Sequence, residues 1–268
     1  MTPLVKSVEL PTKVRLSYVE QGAPAGVPVL LLHGLGDSWR SFEPVLEHLP
    51  ESIHALALTQ RGHGDSSHPA EGYRFVDFVE DLAAFLDALH LPVAVLAGHS
   101  SHGVVSERFA IDHPARVSGL VLIGTPVSLQ DNAAAKGLFD STISKLTDPL
   151  DPQFVSDFAK STLAQPVPQA FLEIVRQETM KVPARVFREF FADLLQEDVS
   201  TELNKVDVPA LLVWGDRDAI LTRSDQDALA SAIPHSRLLV YPGAGHSPHW
   251  EEPERFAYDL AAFMEASM

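Results

Sequence analysis

Residues 93–105 of the 268-residue chain read VAVLAGHSSHGVV, an apolar run that leads into a Gly-His-Ser turn. The run is rich in valine and has the length of a strand, and the residues after the turn can begin a helix. On such a sharp strand-to-helix turn, the side chain of Ser100 is held out at the edge of the sheet. The free N–H groups of the helix N-terminus lie beside it and can bind an oxyanion. This stretch therefore predicts an exposed, nucleophilic serine on an α/β fold.

Short apolar runs of the same kind recur on both sides of this stretch. They predict strands at residues 14–19, 29–33, 53–58, 93–97, 120–123, 210–214 and 237–241. After the first run, apolar and polar residues hardly alternate, which is typical of parallel strands that are buried on both faces. Apolar residues at three- and four-residue steps predict a helix over 75–86, and another helix follows Pro253. The alternation predicts an α/β fold with helices on both faces of the sheet.

The stretch between Ile123 and Ala210 is much longer than the roughly 30 residues of a strand–helix–strand unit. It contains helical patterns that are interrupted by prolines. We therefore predict a helical cap domain, residues 126–207, inserted into a core domain that consists of residues 1–125 and 208–268. Open α/β sheets bind ligands at the C-terminal edge of their strands, so we expect the cap to lie over that edge.

Composition excludes several other classes of protein. The chain has 20 Lys+Arg against 36 Asp+Glu, a formal net charge of −16, and no cysteine. Proteins that coat nucleic acid or anionic membranes need a basic face, so we expect neither partner. The lack of cysteine excludes disulfides and thiolate chemistry. The N-terminus has no signal-peptide layout and no stretch is long and apolar enough to span a bilayer, so we expect a cytoplasmic protein.

Two late loops carry the residues that would activate the serine. The segment 215–218, Gly-Asp-Arg-Asp, follows one late strand, and the segment 243–246, Gly-Ala-Gly-His, follows the next. The chain order Ser100, Asp218, His246 is that of a catalytic triad in which each member follows its own strand. Upstream, residues 30–36 form a strand that ends in a Gly-rich loop, and such a loop can aim a backbone N–H at the same oxyanion.

Together these segments resemble the α/β-hydrolases, a large group that includes small esterases, lactonases, carbon–carbon bond hydrolases and cofactor-free haloperoxidases. The resemblance extends over nearly the whole chain and is carried by segments 33–36, 60–66, 98–100, 214–218 and 245–248, in that order. It implies an eight-stranded, mostly parallel sheet with a cap inserted after the sixth strand. It also implies a catalytic triad and an oxyanion hole, formed respectively by Ser100, Asp218 and His246 and by the backbone N–H groups of Leu35 and Ser101.

One position departs from the pattern of this family. The family turn has small residues two positions before and after the serine, but here Gly98 precedes Ser100 and His102 follows it. The alternative nucleophile, Ser101, has a histidine two positions behind it, so Ser100 is the better match. A slightly opened turn or extra room beneath it would accommodate His102. We expect the imidazole of His102 to be hydrogen-bonded or to reach solvent, because burying it without a partner costs roughly 1–3 kcal/mol.

The predicted substrate pocket has an apolar ceiling. The insertion contains no tryptophan or tyrosine but seven of the 14 phenylalanines: Phe139, Phe154, Phe158, Phe171, Phe187, Phe190 and Phe191. We expect most of them to pack the cap onto the core and the rest to face the site. Near the oxyanion loop, Gly34, Trp39 and His102 are predicted to line the pocket, although Trp39 suits the core equally well. The histidines lack metal-binding spacing, so we expect neither a metal nor another cofactor.

The predicted function is a serine hydrolase that cleaves a small, largely apolar carboxylic ester or lactone through an acyl-enzyme intermediate. Two alternatives use the same triad: hydrolysis of a carbon–carbon bond in a diketone, and cofactor-free halogenation through a peracid. A third alternative is a ligand-binding protein on this fold, which only the histidine at position 102 favours. The sequence predicts neither the exact substrate nor the oligomeric state.

Overall fold

The computed structural model describes residues 4–25 and 27–266, and it contains one eight-stranded sheet. The strands are β1 (Val5–Glu9), β2 (Arg15–Gln21), β3 (Val29–Leu32), β4 (Ala55–Thr59), β5 (Ala94–His99), β6 (Val117–Ile123), β7 (Ala210–Gly215) and β8 (Ser236–Tyr241). Their order in the sheet is β1-β2-β4-β3-β5-β6-β7-β8. β2 runs antiparallel to both β1 and β4, and all other neighbours are parallel. The predicted eight-stranded, mostly parallel sheet is confirmed.

Helices surround this sheet. They are α1 (Glu43–Leu46), α2 (Phe75–Ala88), α3 (Ser101–Asp112), α4 (Ala133–Ser141), α5 (Pro152–Ser161), α6 (Gln169–Thr179), α7 (Ala184–Leu194), α8 (Arg223–Ala232), α9 (Pro248–Glu251) and α10 (Pro253–Ala266). Short 3₁₀ helices cover Trp39–Phe42, Pro114–Arg116, Ile143–Lys145 and Leu203–Lys205. The helix predicted over 75–86 is α2, whose Asp77 side chain accepts the backbone N–H of Arg74 and so caps its first turn.

The core lies on both faces of the sheet because successive strand residues point to opposite sides. Along β3, Leu30 and Leu32 join the cluster that includes α2 and α3, whereas Val29 and Leu31 join the cluster that includes α1 and α10. All four side chains are fully buried. This explains why the parallel strands read as continuous apolar runs in the sequence.

The residues between β6 and β7 contain α4, α5, α6 and α7, as the helical pattern predicted. α7 seats this insertion on the body of the protein, since the ring of Phe190 lies 5.0 Å from that of Phe75 and 4.5 Å from that of Phe78. Phe187 and Phe190 are fully buried. The division into a core domain (1–125 and 208–268) and a cap domain (126–207) stays a prediction.

The structure adds one strand that the apolar runs did not reveal. β1 lies at the edge of the sheet, where it pairs with β2, and four of its five residues are exposed. A strand with so little buried surface leaves no apolar run to detect. The other strands match their predictions within a few residues at each end.

Candidate active site

The turn between β5 and α3 is tight and places Ser100 at its apex. Ser100 has φ 53° and ψ −120°, a conformation that costs strain in a residue with a side chain. A methyl group added to Gly98 would lie 2.5 Å from the carbonyl oxygen of His102, and one added to Gly103 would lie 1.9 Å from Thr125 Oγ1. The glycines that the turn needs are therefore at positions 98 and 103, and position 102 has room for a larger residue.

The structure brings Ser100, His246 and Asp218 together at the C-terminal edge of the sheet. His246 Nε2 lies 2.9 Å from Ser100 Oγ, and His246 Nδ1 lies 2.8 Å from Asp218 Oδ2. The second carboxylate oxygen, Asp218 Oδ1, accepts the backbone N–H groups of Ile220 and Leu221 at 2.7 and 3.0 Å. Because a carboxylate only accepts, Nδ1 carries the imidazole proton and Nε2 is free to accept the Ser100 hydroxyl.

The hydroxyl of the alternative nucleophile, Ser101, is bonded to Leu35 and His102, whereas that of Ser100 is bonded to His246. Ser101 Oγ accepts the backbone N–H of Leu35 at 3.2 Å and lies 3.4 Å from His102 Nδ1. Ser101 is also the first residue of α3, and a backbone N–H at that position has no partner within its helix. The two predicted oxyanion donors, Leu35 and Ser101, therefore lie side by side, with the Leu35 N–H directed at a hydroxyl.

Two buried residues that the sequence did not single out, His99 and Gly124, lie against the backbone of His246. His99 Nε2 donates to the backbone carbonyl of His246 at 3.2 Å, and burial lowers the pKa of His99 well below its usual value. A methyl group on Gly124 would lie 2.9 Å from that same carbonyl, so the close approach of the two segments requires glycine. The position of His99 directly before Ser100 was the available signal for such a role.

His249, three residues after His246, is fully buried and is not part of this chain of hydrogen bonds. Its Nε2 lies 3.2 Å from Ser41 Oγ, which also accepts the indole N–H of Trp250 at 2.8 Å. Burial lowers the pKa of His249 to about 3, so the ring is neutral at physiological pH.

A cavity of about 350 Å³ opens directly above the Ser100 hydroxyl. Its wall is formed by Gly34, Leu35, His99, Ser100, Ser101, Leu129, Asn132, Ala134, Ala135, Leu138, Phe158, Ser161, Thr162, Phe191, Leu194, Ala219, Ile220 and His246. Apart from two histidines, these residues carry no ionisable side chain. Two of the seven insertion phenylalanines, Phe158 and Phe191, face the cavity. The predicted pocket residue Gly34 lies on its wall.

The other two predicted pocket residues, Trp39 and His102, do not line this cavity. Trp39 is 3% exposed and packs in the core cluster between the sheet and α10, with the Arg40 guanidinium 4.6 Å above its ring. His102 is fully buried beneath the turn. Its Nδ1 lies 3.4 Å from Ser101 Oγ, whereas its Nε2 has no partner among the described residues, so the ring is hydrogen-bonded at one nitrogen only and does not reach solvent. Burial and the neighbouring His33 and His63 lower the pKa of His102 well below its usual value.

Across residues 4–25 and 27–266, no cluster of three or more histidine or acidic side chains has the arrangement of a metal site. Within the same residues, no helix has the length and apolar character needed to cross a bilayer.

The fold and sequence are similar to those of known hydrolases. Residues 27–253 match the alpha/beta hydrolase fold family. The dihydrolipoyllysine-residue acetyltransferase component of an acetoin cleaving system from Pseudomonas putida is 31% identical over 255 residues, which cover 93% of this chain and 66% of that protein. A 3-oxoadipate enol-lactonase from Acinetobacter baylyi is 24% identical over 261 residues, 94% of each chain. The structure of an esterase from Exiguobacterium antarcticum has a TM-score of 0.86 at 22% identity and covers 97% of this chain and 99% of its own.

The family match and the curated relatives support a hydrolase function in broad terms, and the solved structure supports the fold. The family match alone covers more than three quarters of the sequence and extends from before β3 to the start of α10. On this match, the chain belongs to the alpha/beta-hydrolase family.

Proposed function

We propose that the protein is a serine hydrolase in which Ser100 is the nucleophile, His246 the general base and Asp218 the residue that orients the imidazole. The observation that carries the proposal is the continuous chain from Ser100 Oγ to His246 Nε2 at 2.9 Å and from His246 Nδ1 to Asp218 Oδ2 at 2.8 Å, at the floor of an apolar cavity. A serine hydroxyl is a weak nucleophile until an adjacent base accepts its proton.

In the first half of the reaction, Ser100 Oγ attacks the ester carbonyl carbon while its proton passes to His246 Nε2. The carbonyl oxygen becomes an oxyanion, and the imidazolium is stabilised by the Asp218 carboxylate. The imidazolium then protonates the leaving alcohol oxygen as the carbon–oxygen bond breaks, which leaves an acyl-enzyme. Water then attacks the acyl-enzyme with His246 again as the base, which releases the carboxylic acid and regenerates Ser100.

The oxyanion would be bound by the backbone N–H groups of Leu35 and Ser101. One such donor typically contributes about 3–4 kcal/mol to transition-state stabilisation, since it is already oriented when charge develops. The Leu35 N–H donates to Ser101 Oγ at 3.2 Å, near the long end of the normal range. An anionic oxygen is a stronger acceptor than a hydroxyl, so it can compete for this donor.

The cavity favours a small, largely apolar and uncharged ester or lactone. Its volume of about 350 Å³ is at the lower end of ligand pockets. None of the described residues that line it is a lysine or arginine, so a substrate carboxylate buried there would lose its hydration without gaining a partner. In this proposal the insertion, residues 126–207, acts as the cap that supplies most of the apolar wall.

The proposal is tested by replacing each of the two adjacent serines. Ser100→Ala should lower the turnover of a short-chain p-nitrophenyl ester by roughly 10⁴- to 10⁶-fold, as removal of a triad member does. Ser101→Ala keeps every backbone N–H and should lose far less. Full activity in Ser100→Ala, or a loss confined to Ser101→Ala, would contradict the assignment. A fluorophosphonate should label wild-type Ser100 stoichiometrically, whereas a ligand-binding protein with a silent triad would stay unlabelled.

A further inference from the structure

The loop that carries His246, residues 243–247, is bound to a segment of the insertion, residues 162–165, by two direct hydrogen bonds and by a carboxylate that bonds to both segments. The backbone N–H groups of His246 and Ser247 donate to the Thr162 carbonyl at 2.8 and 3.2 Å. The side chain of Glu251 supplies the other two bonds. Its Oε1 accepts the Ala164 N–H at 2.8 Å, and its Oε2 accepts the Gly245 N–H at 2.9 Å. One carboxylate therefore bridges the two segments.

The bridge is closely packed. A methyl group on Gly245 would lie 2.6 Å from the Ala164 nitrogen, 2.8 Å from the Thr162 carbonyl oxygen and 2.9 Å from Glu251 Oε1. These distances leave no space for a side chain at position 245, directly before His246. Bonds from two backbone N–H groups to one carboxylate are charge-assisted and stronger than bonds between neutral groups.

The same segment of the insertion forms part of the cavity wall. Phe158, Ser161 and Thr162, at the end of α5, all line the cavity above Ser100. The Thr162 residue that borders the substrate space is also the residue whose carbonyl accepts the N–H of His246. The substrate wall and the imidazole are thus held by one set of bonds.

We propose that Glu251 is a positioning residue that fixes His246 Nε2 against Ser100 Oγ by bridging the His246 loop to the 162–165 segment. This inference rests on the proposed function, because the position of His246 affects the reaction rate only if His246 is the base. Glu251 touches neither the nucleophile nor the cavity. Its effect reaches the reaction through Gly245, the residue before His246.

A small displacement of the base has a large effect on rate. Misplacement of a reacting group by about 1 Å can cost on the order of 100-fold. Without the Glu251 bridge, the His246 loop keeps its two bonds to the Thr162 carbonyl but loses the bond at Gly245. We therefore expect Glu251→Ala to lower kcat about 10- to 100-fold while KM for a short-chain p-nitrophenyl ester changes less than threefold.

The experiment compares Glu251→Ala and Glu251→Gln with the control Glu252→Gln. Glu252 is adjacent in sequence but lies between α9 and α10, and it forms an ion pair with Arg255 of α10 at 3.2 Å. Glutamine at 251 keeps one acceptor oxygen and should recover part of the kcat that alanine loses. The control should stay within twofold of wild type. Rates are normalised to the serine labelled by a fluorophosphonate, so that a fall in the folded fraction does not count as a fall in kcat.

Three outcomes overturn the inference: unchanged kcat in Glu251→Ala with only a lower thermal midpoint, equal losses in Glu251→Gln and Glu252→Gln, or a loss that is confined to KM. If instead Ser100→Ala keeps full activity, the proposed function fails and the Glu251 result has no bearing on that failure.

A second variant removes a hydrogen-bond donor of the same bridge, for the case in which Glu251→Ala does not fold. Ala164→Pro removes the N–H that Glu251 Oε1 accepts. It should lower kcat by itself, and its effect should be less than additive with that of Glu251→Gln, because both changes weaken the same bridge. Fully additive effects, or an Ala164→Pro kcat equal to that of wild type, overturn the inference.

Discussion

His246 and a group of three other histidines lie on opposite sides of the Ser100 turn, and the comparison shows how its surroundings decide what a histidine can do. His246 lines the cavity, and each of its ring nitrogens has a partner, Ser100 Oγ or Asp218 Oδ2. Beneath the turn, the rings of His33, His63 and His102 lie 5.0 to 5.9 Å apart, and all three are fully buried. Within residues 4–25 and 27–266, the Nε2 atoms of His63 and His102 have no hydrogen-bond partner.

The buried group behaves as a set of neutral aromatic rings. Burial lowers the pKa of His33 to about 4, and burial together with neighbouring histidines lowers those of His63 and His102 well below the usual value. The ring of His102 also lies 5.2 Å from that of Phe78 and 5.0 Å from that of Phe190. A histidine that stays neutral and has no path to substrate cannot move a proton in the reaction, whereas His246 has both an acceptor nitrogen and access.

The largest expected effect is on His246, the histidine of this comparison that lines the cavity. His246→Gln removes the only nitrogen that can accept the Ser100 proton in the proposed reaction. We expect turnover of a short-chain p-nitrophenyl ester to fall by about 10⁴- to 10⁶-fold. Steady-state kinetics with the same ester measures the effect.

The matched control replaces a buried histidine instead. His63→Phe keeps an aromatic ring in the buried group and should leave the rate per folded molecule within tenfold of wild type. The comparison breaks down if His63→Phe loses as much activity as His246→Gln.

The next largest expected effect is a fall in the free energy of unfolding of the protein in acid. A histidine in the unfolded chain takes up a proton near pH 6.5, but folded His33 does so only at about pH 4 and folded His249 at about pH 3. Between these values the unfolded state binds more protons, so lowering the pH favours unfolding. The free energy of unfolding falls by about 1.4 kcal/mol per histidine for each pH unit below 6.5, or about 2 kcal/mol for each of the two at pH 5.

Buried carboxyl groups act in the opposite direction. Burial raises the pKa of Asp37 and Glu107 well above the usual value, so the folded state keeps their protons when the unfolded state has lost them. Acid therefore stabilises these two sites. Among the described residues, four carboxyl groups have raised pKa values: Asp37, Glu107, Asp81 and Glu251. Five buried histidines have lowered pKa values: His33, His63, His99, His102 and His249. The net expectation is a loss of stability from pH 7 to pH 5.

Urea unfolding at a series of pH values measures this dependence, and His102→Phe isolates one site. The variant removes a histidine whose pKa burial lowers in the folded state, so the fall of unfolding free energy from pH 6 to pH 5 should be shallower than in wild type. A slope identical to that of wild type would show that His102 is protonated in the folded state.

The comparison also shows what the sequence could predict. The parallel strands and the order Ser100, Asp218, His246 are visible locally, because buried strands are continuous apolar runs and each triad member follows one of them. β1 is not visible, since four of its five residues are exposed. The direction of a side chain is not visible either. Trp39 follows the oxyanion loop yet turns into the core, because packing across the sheet decides its direction.

Contacts between distant segments also leave no local signal. The family pattern places a small residue at position 102, but in this chain the tight contact is at Gly103, which meets Thr125 on the following strand-to-helix connection. Glu251 likewise binds Ala164, 87 positions earlier in the chain. Neither pair has a spacing or motif that relates its members.

The smallest expected effect on rate concerns His102 itself. His102→Gly restores the residue that the family pattern has in the turn but empties the space between His33, Phe78 and Phe190. Loss of a buried ring of this size destabilises a protein by roughly 3–5 kcal/mol. Because the ring faces away from the cavity, the ester turnover of folded enzyme should change less than tenfold, while the thermal midpoint falls. His102→Phe refills the space and should recover most of the midpoint. If both variants lose turnover as deeply as His246→Gln while remaining folded, the histidines beneath the turn take part in the reaction, and access to the cavity does not separate them from His246.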